Sequence, residues 1–194
     1  MRQATRALTV SEAIFARTGA WRDLALISGF SLMTAVCAQI AFYVGPVPVT
    51  GQTFAVLLAG AVLGSRRGAL SQLTYLVVGA AGIPFWFAPG PTLGLARILG
   101  PSGGYLIGFV AVAFVVGLLA ERGWDRRVLT AALAMAAGEV VLYIFGLAQL
   151  ALFVPSQALL AAGLYPFIAG DLLKLALAAL VLPSAWALIS RWRA

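Results

Sequence analysis

The sequence predicts an all-α integral membrane protein: a bundle of six transmembrane helices, N- and C-termini cytoplasmic, with a long third (outer) loop as a lid. Three observations carry that reading. Of the 194 residues, 62% are hydrophobic and only 10% charged, and the mean hydropathy of +1.01 lies far above that of soluble domains. Apolar segments run at roughly 23 to 44, 53 to 64, 68 to 83, 101 to 120, 128 to 149 and 167 to 190, set against a hydrocarbon core of about 30 Å. With the N-terminus inside, eleven of thirteen basic residues fall on one side: Arg2, Arg6, Arg17 and Arg22, then Arg66 and Arg67, then Arg122, Arg126 and Arg127, then Arg191 and Arg193. That asymmetry is the one cytoplasmic connections show. Topology thus explains the net charge of +7, and the partner it implies is a lipid bilayer, with no nucleic acid.

Residues 1–22 read as a cytoplasmic amphipathic arm, and 23–194 as a single six-helix membrane domain. The arm has charges scattered among apolar residues and lacks the compact apolar core of a secretory signal. Segment one carries small residues at helical spacing, Gly29, Ser31, Ala35 and Ala38. Small faces let helices approach closely in lipid, within the chain or against a partner membrane protein.

Segment two is only about a dozen residues, or ~18 Å of helix, too short to span alone. The preceding run Gly45-Pro-Val-Pro-Val-Thr-Gly-Gln52 therefore dips in. Non-helical backbone at membrane depth survives only beside protein or a cavity, so Thr50 and Gln52 are candidate cavity residues. Segment three ends at Gly82-Ile-Pro84, and the loop from Phe85 to Arg97 is rich in aromatics, glycine and proline. Loops of that length are often lids. Segment four opens with Gly100-Pro-Ser-Gly-Gly-Tyr-Leu, where Ser102 is a candidate helix cap.

Chemistry is limited by what the chain lacks. It has no histidine and one cysteine, Cys37, which excludes a disulfide framework, a Cys/His metal site and most covalent catalysis. No catalytic residue, metal ligand or cofactor is assigned. No Gly-x-x-x-x-Gly-Lys-Ser/Thr loop is present to hold a nucleotide.

What remains are polar side chains at membrane depth. Asp171 and Lys174 lie one turn apart in the last apolar segment, so one helix presents an anion and a cation on one face. Ionised groups in lipid usually face the protein interior with a partner. The pair either neutralises itself or clamps a solute bearing donors and acceptors. Arg97, the sole charge of the outer connections, is either a plain surface arginine or a fork suited to a carboxylate. Glu139 lies mid-membrane with Tyr143 one turn on; it bonds a neighbouring helix, touches a solute or serves a proton path. The aromatics Phe85, Trp86, Phe87 and Tyr105 either cover a solute's apolar body or anchor the loop at the membrane interface.

Several of these stretches together resemble the BioY family, the biotin-binding S components of energy-coupling-factor vitamin transporters. They are Pro46-Val-Pro-Val-Thr-Gly-Gln-Thr53, Leu58-Ala-Gly-Ala-Val-Leu-Gly-Ser-Arg-Arg-Gly-Ala-Leu-Ser71, Gly79-Ala-Ala-Gly-Ile-Pro84, Gly100-Pro-Ser-Gly-Gly-Tyr-Leu-Ile-Gly-Phe109 and Gly170-Asp-Leu-Leu-Lys174. The resemblance implies a multi-pass protein of the bacterial cytoplasmic (inner) membrane. It implies capture of biotin from outside, with a transmembrane T component and two ATPase subunits as partners, or function as a homo-oligomer. It also implies binding residues on the last helix, here Asp171 and Lys174, and in the outer loops, where Arg97 is the candidate. Donor and acceptor chemistry then matches Asp171 and Lys174 to the ureido ring and Arg97 to the valerate carboxylate as a hypothesis. An S component for another vitamin, and an ion-coupled secondary transporter using Glu139 and Asp171, are the alternatives.

Overall fold

A computed structural model describes residues 9–15 and 19–192. Arg2, Arg6, Arg17 and Arg193, and half of the arm, lie outside the described residues. The elements in order are helix α1 (Val10–Ile14), α2 (Ala20–Ala38), strands β1 (Ala41–Tyr43) and β2 (Pro48–Thr50), α3 (Gln52–Leu63), α4 (Ser65–Ala80), α5 (Gly94–Leu99), α6 (Gly103–Glu121), α7 (Val128–Leu150), α8 (Leu159–Gly163) and α9 (Tyr165–Trp192). The longer helices α2, α3, α4, α6, α7 and α9 fall on the six apolar segments. By length and composition, α6, α7 and the run Ser156–Trp192 are each sufficient to cross a membrane, and α3 is a shorter apolar helix.

Segment one is shorter than its apolar run suggests. Helix α2 stops at Ala38, and residues 41–50 form an antiparallel hairpin pairing Ala41 with Thr50, Phe42 with Val49 and Tyr43 with Pro48. The backbone reason is local: β-branched and aromatic residues favour the pleated surface, and a proline tolerates only the first position of a strand, which Pro48 occupies. Gly51 N–H continues the ladder to the Ile40 carbonyl at 2.9 Å. The outer connection differs from a plain loop too, since its last residues wind into α5, which carries Arg97.

Helix α6 is the centre of the bundle and packs against α3, α4 and α7. Small residues make this possible, because without a hydrophobic drive between helices in lipid, close packing supplies the attraction. A Cβ at Gly60 would stand 2.5 Å from the Ala113 carbonyl oxygen, so α3 and α6 touch backbone to backbone. A single residue, Gly64, turns α3 into α4 with φ of +86°, a left-handed value that favours glycine. Glu121 at the end of α6 then accepts from Ser65 N–H at 2.7 Å and Ser65 Oγ at 2.9 Å. It satisfies an orphan donor of α4 and places a carboxylate at its positive end.

The small stripe of α2 turns inward. Ser31, Ala35 and Ala38 are buried within the chain, and Thr34 between them hydrogen-bonds Gln72 of α4 at 3.3 Å. Those three are buried where α2 packs on α4 and α3, and of the four residues considered for a partner surface only Gly29 faces outward, with nothing within 4 Å of a built Cβ. Part of the arm is docked as well: Thr9, Val10, Ser11 and Ala13 are buried, and Arg67 bridges Glu12 at 3.6 Å and Asp23 at 3.2 Å. At the same end, the turn between α6 and α7 is tied to α9. Trp186 Nε1 donates to buried Asp125 at 2.5 Å, and the Arg126 guanidinium lies 4.6 Å from the Trp186 ring centre.

Candidate ligand-binding site

At the end of the bundle opposite these arginines, the hairpin, the loop after α4, α5 and the starts of α6 and α9 converge on one cavity. Its polar lining is Thr50, Gln52, Thr53, Arg97, Ser102, Tyr105, Tyr143 and Asp171; its apolar lining includes Phe87, Leu106, Phe109, Leu142 and Phe167. This mixture, mostly apolar with a few convergent polar groups, is the usual make-up of a small-molecule site. The cavity is narrow, about 40 Å³, room for only a few waters.

One wall carries the acid. Asp171, 6% exposed, accepts from Lys174 Nζ at 2.9 Å through Oδ1 and from the Tyr143 hydroxyl through Oδ2. Each carboxylate oxygen has more than one acceptor site, so the carboxylate can still take a donor from the cavity. Lys174 lies behind Asp171 and outside the lining. It neutralises the charge, as a buried carboxylate requires. Below Tyr143 on α7, Glu139 is 7% exposed, neither of its carboxylate oxygens has a hydrogen-bond partner among the described residues, and it lies off the cavity.

The other charged wall is Arg97. It is 8% exposed, reaches Thr92 Oγ1 only at 3.4 Å, and its Nη2 is buried without a partner among the described residues. A Cβ at Gly90 would stand 2.8 Å from Nη1, so the loop backbone closes over the guanidinium. A buried, under-used fork of donors is costly unless something accepts from it.

The aromatics divide. Tyr105 donates to the Gly163 carbonyl at 2.6 Å and stacks on Phe167 with ring centres 5.9 Å apart, both lining the cavity. Trp86 lies behind the wall, its Nε1 bonded to the Tyr75 carbonyl at 2.8 Å. Phe85 is not brought to the site at all: it is 78% exposed, with φ of +60°, and it is the next-but-one residue, Phe87, that turns in. Ser102 lines the cavity and makes no side-chain cap to α6. Leu106, Phe109, Leu142 and Phe167 were not among the sequence candidates. The first two follow Ser102 and Tyr105 at helical spacing, and Phe167 precedes Asp171 by one turn, so a periodicity argument anchored on the polar residues finds them.

The chain is similar to known proteins. The chain is 42% identical over 160 residues to a probable biotin transporter BioY of Pyrococcus horikoshii, covering 82% of this chain and 93% of that one. It is 38% identical over 163 residues to the biotin transporter BioY of Thermotoga maritima (82% and 93%), and 38% identical over 179 residues to that of Rhizobium etli (82% and 90%). The fold matches a crystal structure of the S-component for biotin from an ECF-type ABC transporter, with TM-score 0.73 and 23% identity over 87% of this chain and 94% of that one. The BioY family model matches residues 5–191, nearly the whole chain with every cavity residue inside the match, and the protein belongs to the BioY family.

Proposed function

We propose that this chain is a membrane substrate-binding subunit for biotin uptake, capturing biotin at the outer face and delivering it inward. The observation that carries the reading is a single cavity with an unpaired guanidinium donor, Arg97 Nη2, on one wall and a buried Asp171 on another. Biotin has a carboxylate at one end, a ureido ring with two N–H donors at the other, and an apolar body between. Arg97 holds the carboxylate, Asp171 accepts a ureido N–H, and Phe87, Phe109 and Phe167 cover the ring system and alkyl chain. Lys174, behind the wall, holds Asp171 in place, and the Tyr143 hydroxyl orients the same carboxylate. Thr50, Gln52 and Tyr105 complete the polar wall. The name borne by the relatives supports the same solute.

In this reading the six longer helices are six spans, both termini are cytoplasmic, and the membrane is the inner membrane of a bacterium. The stretch 81–93 with α5 is a lid, since a cavity of about 40 Å³ admits a bicyclic solute only when its cover moves. Energy comes from a transmembrane T component and two ATPase subunits, or the chain acts as an oligomer. The protein is a transport subunit and not an enzyme.

Calorimetry of purified protein with biotin, and with a panel of other vitamins, tests the solute. Tight binding of biotin alone is expected. Binding of biotin no stronger than that of the other vitamins would overturn the reading, as would parental affinity in an inserted Asp171→Asn variant.

A further inference from the structure

Tyr75 is 0% exposed and lies outside the cavity lining, yet its polar and aromatic neighbours belong to the cavity wall or its cover. Thr50 Oγ1 donates to Gln52 Oε1 at 2.8 Å, Gln52 Nε2 donates to the Tyr75 hydroxyl at 2.6 Å, and that hydroxyl donates to the Trp86 carbonyl at 3.1 Å. Trp86 Nε1 returns a bond to the Tyr75 carbonyl at 2.8 Å. The ring stacks on Trp86 with centres 6.0 Å apart and meets Phe87 edge-on at 5.4 Å. Phe109, across the cavity wall on α6, lies 6.4 Å away.

The direction of this chain is forced. An amide N–H only donates and a carbonyl only accepts, so the hydroxyl must take from Gln52 and give to Trp86. Lifting Trp86 away strands a buried hydroxyl proton, and turning Gln52 strands the hydroxyl's lone pair. Gln52 faces the cavity, and its second amide hydrogen has no partner among the described residues. A second clasp holds the flanking residues from α2, where Gln39 Nε2 donates to the carbonyls of Phe85 at 2.7 Å and Phe87 at 3.3 Å. Three successive lid carbonyls are thus anchored to side chains of α2 and α4.

We propose that Tyr75 is a positioning residue that couples Gln52 in the cavity wall to Trp86 in the lid, so that a ligand acceptor engaged by Gln52 holds the lid shut. The hydrogen-bonded chain is a feature of the unliganded protein; the lid and the identity of the ligand rest on the biotin reading.

The test reads lid opening without a ligand. In a Cys37→Ser background, Ala88→Cys places a thiol in the cavity lining at a position 5% exposed, and its reaction with a water-soluble maleimide reports opening. Tyr75→Phe keeps the ring packing and removes the hydroxyl. It should speed labelling by about tenfold, the size of one buried hydrogen bond, and raise both the association and dissociation rates of biotin. Gln52→Leu cuts the other end of the chain and should speed labelling similarly. It stands in should Tyr75→Phe fail to insert, and the double variant should be no faster than either single one. Labelling within twofold of the Tyr75 protein, even with lowered thermal stability, would reduce Tyr75 to a packing residue and overturn the coupling. Biotin should slow labelling of the Tyr75 protein; if it does not, the biotin reading fails while the comparison without ligand still decides the role of Tyr75.

Discussion

Replacing Arg97 by Met separates ligand binding from folding more cleanly than any other change at the site. Arg97 is 8% exposed, its one side-chain hydrogen bond among the described residues is to Thr92 at 3.4 Å, and Nη2 has no partner among them. Little that holds the fold together is therefore lost, and a buried, under-satisfied charge is removed, so the melting temperature should stay level or rise. Ligand binding should respond in the opposite sense. A hydrogen bond to a charged group contributes about 1.5–3 kcal/mol, and each 1.4 kcal/mol is a factor of ten, so biotin should bind about 10- to 150-fold more weakly. The control is biotin amide, which lacks the carboxylate charge. The parent should prefer biotin over the amide by a similar factor, and the variant should have lost most of that preference. Calorimetry of both proteins with both ligands gives the cycle. An unchanged preference in Arg97→Met would refute the assignment of the carboxylate to Arg97, whatever the absolute affinities.

Three further outcomes follow from the same structure. Asp171→Asn leaves Lys174, 14% exposed, without its counter-charge, and breaking one partner of a buried ion pair costs about 3–5 kcal/mol. The double variant Asp171→Asn, Lys174→Met should recover thermal stability but not biotin binding. Gly60→Ala would drive a Cβ to 2.5 Å from the Ala113 carbonyl and should lower stability by about 1–3 kcal/mol, whereas Gly29→Ala meets nothing within 4 Å and should melt like the parent. Burial holds the Asp125 carboxyl above its ordinary range, against the lowering pull of its Trp186 bond. A carboxyl raised in the folded state gives stability that is full below its unfolded pKa and lost as pH rises through the folded value. From about pH 4 upward the parent should therefore lose melting temperature relative to Asp125→Asn, and parallel pH curves would contradict this.

The helices were the legible part of this chain. Long apolar segments and the alternation of arginines need no tertiary information, so α6, α7 and α9 fall where hydropathy puts them. Elements under eight residues were not legible. The hairpin at 41–50 and helix α5 sit inside stretches whose composition is as apolar as a span, and only pairing partners and a packed neighbour distinguish them. Among site residues, Asp171, Arg97 and Gln52 stand out because a polar group in an apolar run is conspicuous. Phe109 and Phe167 do not, because an apolar residue in an apolar run carries no signal of which way it faces. Phe85 against Phe87 shows the limit: two residues apart in one loop, one is exposed and the other lines the cavity, and a left-handed φ at Phe85 is what separates them.

Burial alone does not tell a structural polar group from a ligand-binding one, and neither does an unsatisfied atom unless it also lines the cavity. Gln72, Ser71 and Thr34 are fully buried and bonded to one another, and they glue α2 to α4. Arg97 is buried with a donor left over and lines the cavity, and in the proposed reading a ligand is its acceptor. Glu139 is the discriminating case, with both oxygens unpartnered, 7% exposed, yet off the cavity lining. An unsatisfied buried group costs about 1–3 kcal/mol. Glu139→Met should then raise the melting temperature while leaving biotin affinity within twofold of the parent. A tenfold loss of affinity would mean that the occupied cavity extends along α7 past Tyr143, and that Glu139, like Arg97, is held in reserve for the solute.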